Sequence, residues 1–477
     1  MSSELRTSAP LLDAYLKYFE TPRTSFTIPG HKQKAHRLDE GLGTVVDSDT
    51  PLYGGLDEIK LTDGTLKKAE ALAAALWGAD YARFSTGGST HANQAMILAL
   101  GKPGDKVAIT RTAHRSVLSA LVLTGLEPIW LTPQIDEATG VPIGIPVSEL
   151  ERVLDQKPIA LLLTEPGYLG TISELPALIA KAHENSIPVI IDAAWGAHFG
   201  FSSQFPQHVL QLGADALITS VHKALPGYSA SALLLAQGAL LNLDRIEQSF
   251  ETTHTTSPAG APLASIDACR ALLETRGEEL LNNLLANVNA FKAAVQSHFD
   301  LPIFLNTDQF PAGRFDPAKI VLRANQLGLS GVEVEKQLQK SQIRVEMADR
   351  DTIVFLATLA DNSDDFAELQ NCLIPILKSL QGPTRQTQTS LSWSVVPTVG
   401  ISARDAYFAD TEYVTASEAI GRISADLIAP YPPGVAVVAP GEVLTEQIIS
   451  GLAATQKAGV RIAYASESTL ATYRVTK

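Results

Sequence analysis

The feature that most constrains this chain is the texture of residues 66–236, where short apolar runs alternate with stretches of helical period. Pro158 to Thr164 and Ile187 to Asp192 are apolar up to their last residue. A strand of that kind is buried on both faces, as in parallel sheets covered by helices on either side. Helical patterns at Leu66 to Trp77, His91 to Leu100, Ser116 to Thr124 and Glu174 to Asn185 supply the cover. Further strands are expected at Tyr81 to Thr86, Lys106 to Thr110 and Pro128 to Leu131. Ala214 to Ser220 and Ser231 to Ala236 follow each other too closely for a helical crossover, so one of them is expected to run antiparallel. The pattern predicts an α/β fold with a mostly parallel mixed sheet in a large domain and a smaller α+β C-terminal region.

With 477 residues the chain is long enough for several modules. Residues 1–61 are poorly periodic and read as an N-terminal arm. Residues 62–300 form the expected large domain, closed by a long helical pattern from Ala261 to Phe299 that reaches toward a second unit. Residues 301–382 read as a small α+β domain, and residues 393–477 as a C-terminal domain beyond the polar linker Thr384 to Ser390. The net charge of -14, with no basic run, argues against a nucleic-acid partner. No apolar run approaches the ~18 residues of a membrane-spanning helix. The two cysteines, Cys269 and Cys372, read as reduced thiols, and with no secretory pattern at the start a cytoplasmic location is expected.

In open α/β sheets the chemistry collects at the carboxyl ends of the strands. After the first strand comes Ser85-Thr86-Gly87-Gly88-Ser89-Thr90, directly before a helix. Glycines admit a ligand close to the backbone, and hydroxyls with helix-terminal amides suit a phosphate. A Gly/Ser turn is also an ordinary helix cap. Asp192 ends an apolar strand and leads into Ala193-Ala194-Trp195-Gly196-Ala197-His198. A carboxylate there needs a cation or strong donors, although a cap would look the same. Ser220-Val221-His222-Lys223 ends a third strand. A lysine in a desolvated site becomes a carbonyl nucleophile; a lysine reaching solvent is the ordinary alternative. Taken in order, an anion site, an acid for a pyridine nitrogen and an amine for an aldehyde are what pyridoxal 5'-phosphate requires. His114, in Arg111-Thr112-Ala113-His114-Arg115-Ser116, could stack on its ring.

These segments closely resemble the ornithine/lysine/arginine decarboxylase family, of the aspartate-aminotransferase-like fold (fold type I). The resemblance rests on Ile28-Pro29-Gly30-His31-Lys32, Gly88-Ser89-Thr90-His91-Ala92-Asn93, Ala113-His114-Arg115-Ser116, Thr164-Glu165-Pro166-Gly167-Tyr168, Asp192 to His198 and Ser220 to Lys223. Thr256-Ser257-Pro258, Pro430-Tyr431-Pro432-Pro433-Gly434 and Pro440-Gly441-Glu442 complete the series. The resemblance implies that Lys223 carries the cofactor as a Schiff base. It implies that His114 stacks on the ring, Asp192 pairs with the ring nitrogen, and Ala194 packs on the other face. Gly88, Ser89, Thr90, Ser220 and His222 would surround the phosphate, with Trp195 beside the site and Glu442 supporting it or facing substrate. It further implies a short form without a wing domain, a homodimer with sites at its interface, and a product amine of polyamine biosynthesis.

The chain departs from the family pattern around the pocket. Pro226-Gly227-Tyr228-Ser229-Ala230 follows Ala224-Leu225 where a Thr-Gln-like run is usual, Ala259-Gly260-Ala261-Pro262 replaces bulkier residues, and Thr112 stands for an Asn. The expected reaction is decarboxylation of lysine, ornithine or arginine, a small-molecule substrate. Two other readings fit the same residues: a different pyridoxal-phosphate reaction (oxidase, aminotransferase or lyase), and a non-catalytic binding protein that keeps the fold.

Overall fold

The computed structural model describes residues 8–20, 32–50, 56, 64–431 and 434–477. Ile28 to His31 and the Pro432-Pro433 pair lie outside the described residues. A seven-stranded sheet is built from β1 (Tyr81–Ser85), β2 (Lys106–Thr110), β3 (Glu127–Leu131), β4 (Leu161–Thr164), β5 (Val189–Asp192), β6 (Ala216–Ser220) and β7 (Ala232–Ala236). Its order is β1-β7-β6-β5-β4-β2-β3. The pairs from β3 through β6 are parallel, and β7 is antiparallel to both β6 and β1. The short Ala214–Ala236 spacing thus has the outcome expected of it.

Every residue of β4, β5, β6 and β7 is buried, which is why these strands carry no polar face. Successive side chains point to opposite sides of a sheet. Leu161, Leu163, Ile191, Leu217 and Leu235 enter one apolar cluster, while Leu162, Ile190, Ile218 and Leu234 enter the other. Each such side chain contributes about 1.5–3 kcal/mol by leaving water, so the two cores clamp the strand ends between them.

The long helix spans Gly260–Gln296, about 55 Å at 1.5 Å per residue. It runs from the large sheet to a second sheet of β8 (Ile320–Arg323), β9 (Met347–Ala348) and β10 (Thr352–Phe355), ordered β8-β10-β9. Within residues 1–61, helix Pro10–Glu20 buries Leu11 and Tyr18, where the sequence suggested no regular structure. The Leu11 amide donates to Asp267 Oδ2 at 2.9 Å, so a long-range partner fixes this helix. Beyond residue 390, strands Thr411–Thr415 and Thr472–Thr476 pair antiparallel, and Ile428, Leu444, Ile448 and Val475 share an apolar cluster.

Candidate active site

The carboxyl ends of β1, β2, β4, β5 and β6 lie along one edge of the sheet, and the chain entering β7 meets them there. Past β1 the chain turns into helix Gly88–Leu100. Gly88 sits at φ 69°, a left-handed position that glycine takes without penalty, and its amide donates to Ala230 O at 2.6 Å. The helix therefore starts three residues before the His91 that its period suggests. The first-turn amides of Ser89 and Thr90 have no partner inside the helix. Ser89 Oγ and Ser220 Oγ are 2.8 Å apart and tie this turn to β6.

A cavity of about 260 Å³ opens at this edge. It is lined by Gly88, Ser89, Thr90, His114, Asp192, Ala194, Trp195, Ser220, His222 and Lys223, ten of the eleven expected site residues. Gly87, Thr164, Tyr168 and Ala230 complete the wall. Thr164 and Tyr168 belong to a family-like segment but carry no chemistry that singles them out in a sequence.

Asp192 is 1% exposed at the end of β5. Its Oδ2 accepts from Asn93 Nδ2 at 2.8 Å and its Oδ1 from the Ala194 amide at 3.1 Å. His114 caps helix Arg115–Thr124, its Nδ1 accepting from the Ser116 amide at 3.2 Å. Burial lowers its pKa, helped by Lys223 and opposed by Asp192. A neutral ring whose Nδ1 accepts carries its proton on Nε2. His222 Nδ1 donates to Ser231 O at 3.0 Å, and burial lowers its pKa too. Lys223 Nζ lies 4.4 Å from the centroid of the Trp195 ring. Burial lowers its pKa, against the fields of Asp192 and Glu346, and so favours the neutral, nucleophilic amine.

Glu442 stands apart from the cavity lining. Its carboxylate is held by Arg111 through Nη1 at 2.6 Å and Nη2 at 2.9 Å, and by the Ala439 amide at 2.8 Å. Arg111 is three residues from His114, so Glu442 bears on the site through that segment. Sequence reasoning passed over Arg111, because a partner 331 residues away leaves no local signal.

The residues fit pyridoxal phosphate. The hydroxyls and free first-turn amides at Ser89 and Thr90 suit a phosphate, and Asp192 offers a buried carboxylate to a protonated ring nitrogen. Lys223 offers an amine across the same cavity. Thr164 Oγ1, in the cavity wall, is buried without a hydrogen-bond partner among the described residues, a polar group that a polar ligand would use. No group of three or more His, Cys, Asp or Glu among the described residues is placed to hold a metal.

Comparison with known proteins gives the chain relatives along nearly its whole length. The chain is 33% identical over 479 residues to the arginine decarboxylase of Bacillus subtilis, covering 98% of both chains. It is 31% identical to the arginine decarboxylase of Bacillus anthracis, covering 98% of this chain and 97% of the relative. Among solved structures, the lysine decarboxylase of Francisella novicida superposes with a TM-score of 0.85 at 19% identity, over 98% of this chain and 81% of the other. Ureidoglycine-glyoxylate aminotransferase of Bacillus subtilis has a TM-score of 0.54 at 14% identity, over 68% of this chain and 87% of the other. Those two likenesses establish the shared fold. The family model for the Orn/Lys/Arg decarboxylase major domain matches residues 9–311, and the model for the family's C-terminal domain matches residues 387–462. The chain belongs to the Orn/Lys/Arg decarboxylase family.

Proposed function

We propose that this protein binds pyridoxal 5'-phosphate through Lys223 and decarboxylates a basic amino acid, arginine before lysine or ornithine. The observation that carries the reading is the convergence of Lys223, Asp192, His114 and the Ser89–Thr90 turn on one cavity. The preference for arginine rests on the relatives above 30% identity that are named arginine decarboxylases.

When bound, the cofactor supplies a ring that takes up the electron pair left by departing carbon dioxide. The chain does the rest. Asp192, fixed by Asn93 and Ala194, keeps a proton on the ring nitrogen. His114 and Ala194 would hold the ring, and the Ser89–Thr90 turn with Ser220 and His222 would hold the phosphate. The cavity wall would orient the substrate, and that orientation would select the bond that breaks. Lys223 Nζ would hold the cofactor's aldehyde and, as an amine in the same cavity, would be placed to return a proton to the substrate Cα.

The same proposal includes a homodimer in the cytoplasm, with sites at the interface. Leu38, Val45, Val396 and Phe408 are large apolar side chains exposed on the single chain. Sedimentation of the purified protein tests the dimer. For the reaction, the purified protein is mixed with cofactor and with carboxyl-labelled arginine, lysine and ornithine in turn. The expected result is a visible absorbance band, absent in Lys223→Ala, and labelled carbon dioxide released fastest from arginine. A band without carbon dioxide would move the reading to another pyridoxal-phosphate reaction. Absence of a band would overturn it.

A further inference from the structure

A second lysine lies beside the first. Lys319, just before β8, is 4% exposed, and its Nζ is 4.1 Å from the centroid of the Trp195 ring. Lys223 Nζ approaches the same ring at 4.4 Å. One indole therefore carries two lysine nitrogens, from two different sheets. Among the described residues Lys319 makes neither a hydrogen bond nor an ion pair, which is unusual for a lysine so little exposed. Its nearby carboxylate, Asp316, is already engaged: Oδ1 takes His198 Nε2 at 3.2 Å and the Ala318 amide at 3.0 Å.

The fold makes deliberate room for this lysine. Gly170 sits at φ 93°, and a Cβ there would meet Lys319 Cβ and Cγ at 2.9 Å. A neighbouring cation that exists only to fill space would be simpler as leucine or methionine. The charged groups facing Lys319 are Asp316, Glu346 and Lys223. Those facing Lys223 include Asp192 and Glu346, and both His114 and His222 feel Lys223 in turn. Glu346, exposed and directly before β9, is a carboxylate whose field reaches both amines.

We infer that Lys319 is a positioning residue for the cofactor lysine: its charge, set against the shared Trp195 indole, disfavours a proton on the nitrogen of Lys223, and Glu346 opposes it. A cation beside a nucleophilic lysine is a recognised way of freeing that amine for attack on a carbonyl. Both nitrogens touch one ring, so they lie inside the Debye length of about 10 Å at 0.1 M salt, and buried charges are screened less still. Burial brings the Lys319 pKa to about 8, so its influence is present below that pH and fades above it. This inference rests on the cofactor reading of Lys223.

The test is a pH titration of the cofactor's visible band in the holoenzyme and in Lys319→Met, Lys319→Arg and Glu346→Gln. Lys319→Met keeps the stem and removes the charge, and the midpoint should rise by about one pH unit, the scale Coulomb's law gives for charges several ångströms apart at an effective dielectric of ~20. Lys319→Arg should keep the midpoint near that of the parent. Glu346→Gln, at an exposed position, should shift it downward, and that opposite sign carries the test even if Lys319→Met folds poorly. An intact band whose midpoint ignores both Lys319→Met and Glu346→Gln would overturn the inference alone. No band in the parent protein would overturn the cofactor reading and this inference together.

Discussion

Arg111 and Glu442 are joined by two hydrogen bonds of 2.6 and 2.9 Å, with both side chains almost wholly buried. Arg111 Nη2 also donates to Val437 O at 2.8 Å, and its guanidinium lies 4.8 Å from the Trp130 ring centroid. Glu442→Ala would leave that guanidinium buried without its anion, which destabilises by about 3–5 kcal/mol. Arg111→Met combined with Glu442→Leu removes both charges and should recover much of the loss. Urea denaturation of the three proteins at pH 7 checks this.

Asp192→Asn should leave the fold intact, because an amide oxygen can still accept from Asn93 or Ala194. What it loses is the negative charge beside the expected ring nitrogen. Turnover should fall by roughly 10²–10³, the loss typical of one preorganised electrostatic group. Steady-state kinetics beside circular dichroism separates the two effects.

Glu165 gives a pH dependence of definite sign. It accepts from the Ser173 amide at 3.1 Å and from the Ser173 hydroxyl, yet burial pushes its pKa up to about 7 from 4.5. The folded state holds this proton longer than the unfolded chain does. Its contribution is complete below about pH 4.5 and is lost as pH rises through about 7. Glu165→Gln should therefore raise the melting temperature at pH 8 more than at pH 5. Equal changes at the two values would show that Glu165 does not titrate in this way.

Gly88→Ala places a side chain where φ is 69°, at a cost of roughly 1–2 kcal/mol. The added methyl would contact the Ala230 backbone at about 3.6 Å without a clash. The expected outcome is a modest loss of stability and weaker cofactor binding, since Ser89 and Thr90 follow directly. Titration of the protein with cofactor, monitored by the visible band, measures it.

The strand ends were legible because burial on both faces forces continuous apolar runs, so that Asp192 and Lys223 stand out where those runs stop. The motif Gly88-Ser89-Thr90 was legible as a turn, but the helix beginning at Gly88 was not, since positive φ leaves no periodic trace. Helix Pro10–Glu20 was missed because Asp267 and the long helix stabilise it from 256 residues away. Arg111 gave no sign of Glu442 for the same reason. Lys319 carries no local signal in the sequence, and only folding sets it against Trp195.

The reversed direction of β7 has one more consequence. The segment between β6 and β7, Val221 to Ser231, leaves the sheet after Ser220 and returns at Ala232, with both ends at the same rim. Val221 N–H donates to Ser231 O at 2.9 Å and closes its neck. Between Pro226 and Ser229 the segment can change its residues while the strands on either side keep their register, because Val221 and Ser231 hold its neck. Departures such as Pro226 to Ala230 can thus remodel the pocket mouth while the groups that hold the cofactor stay in place.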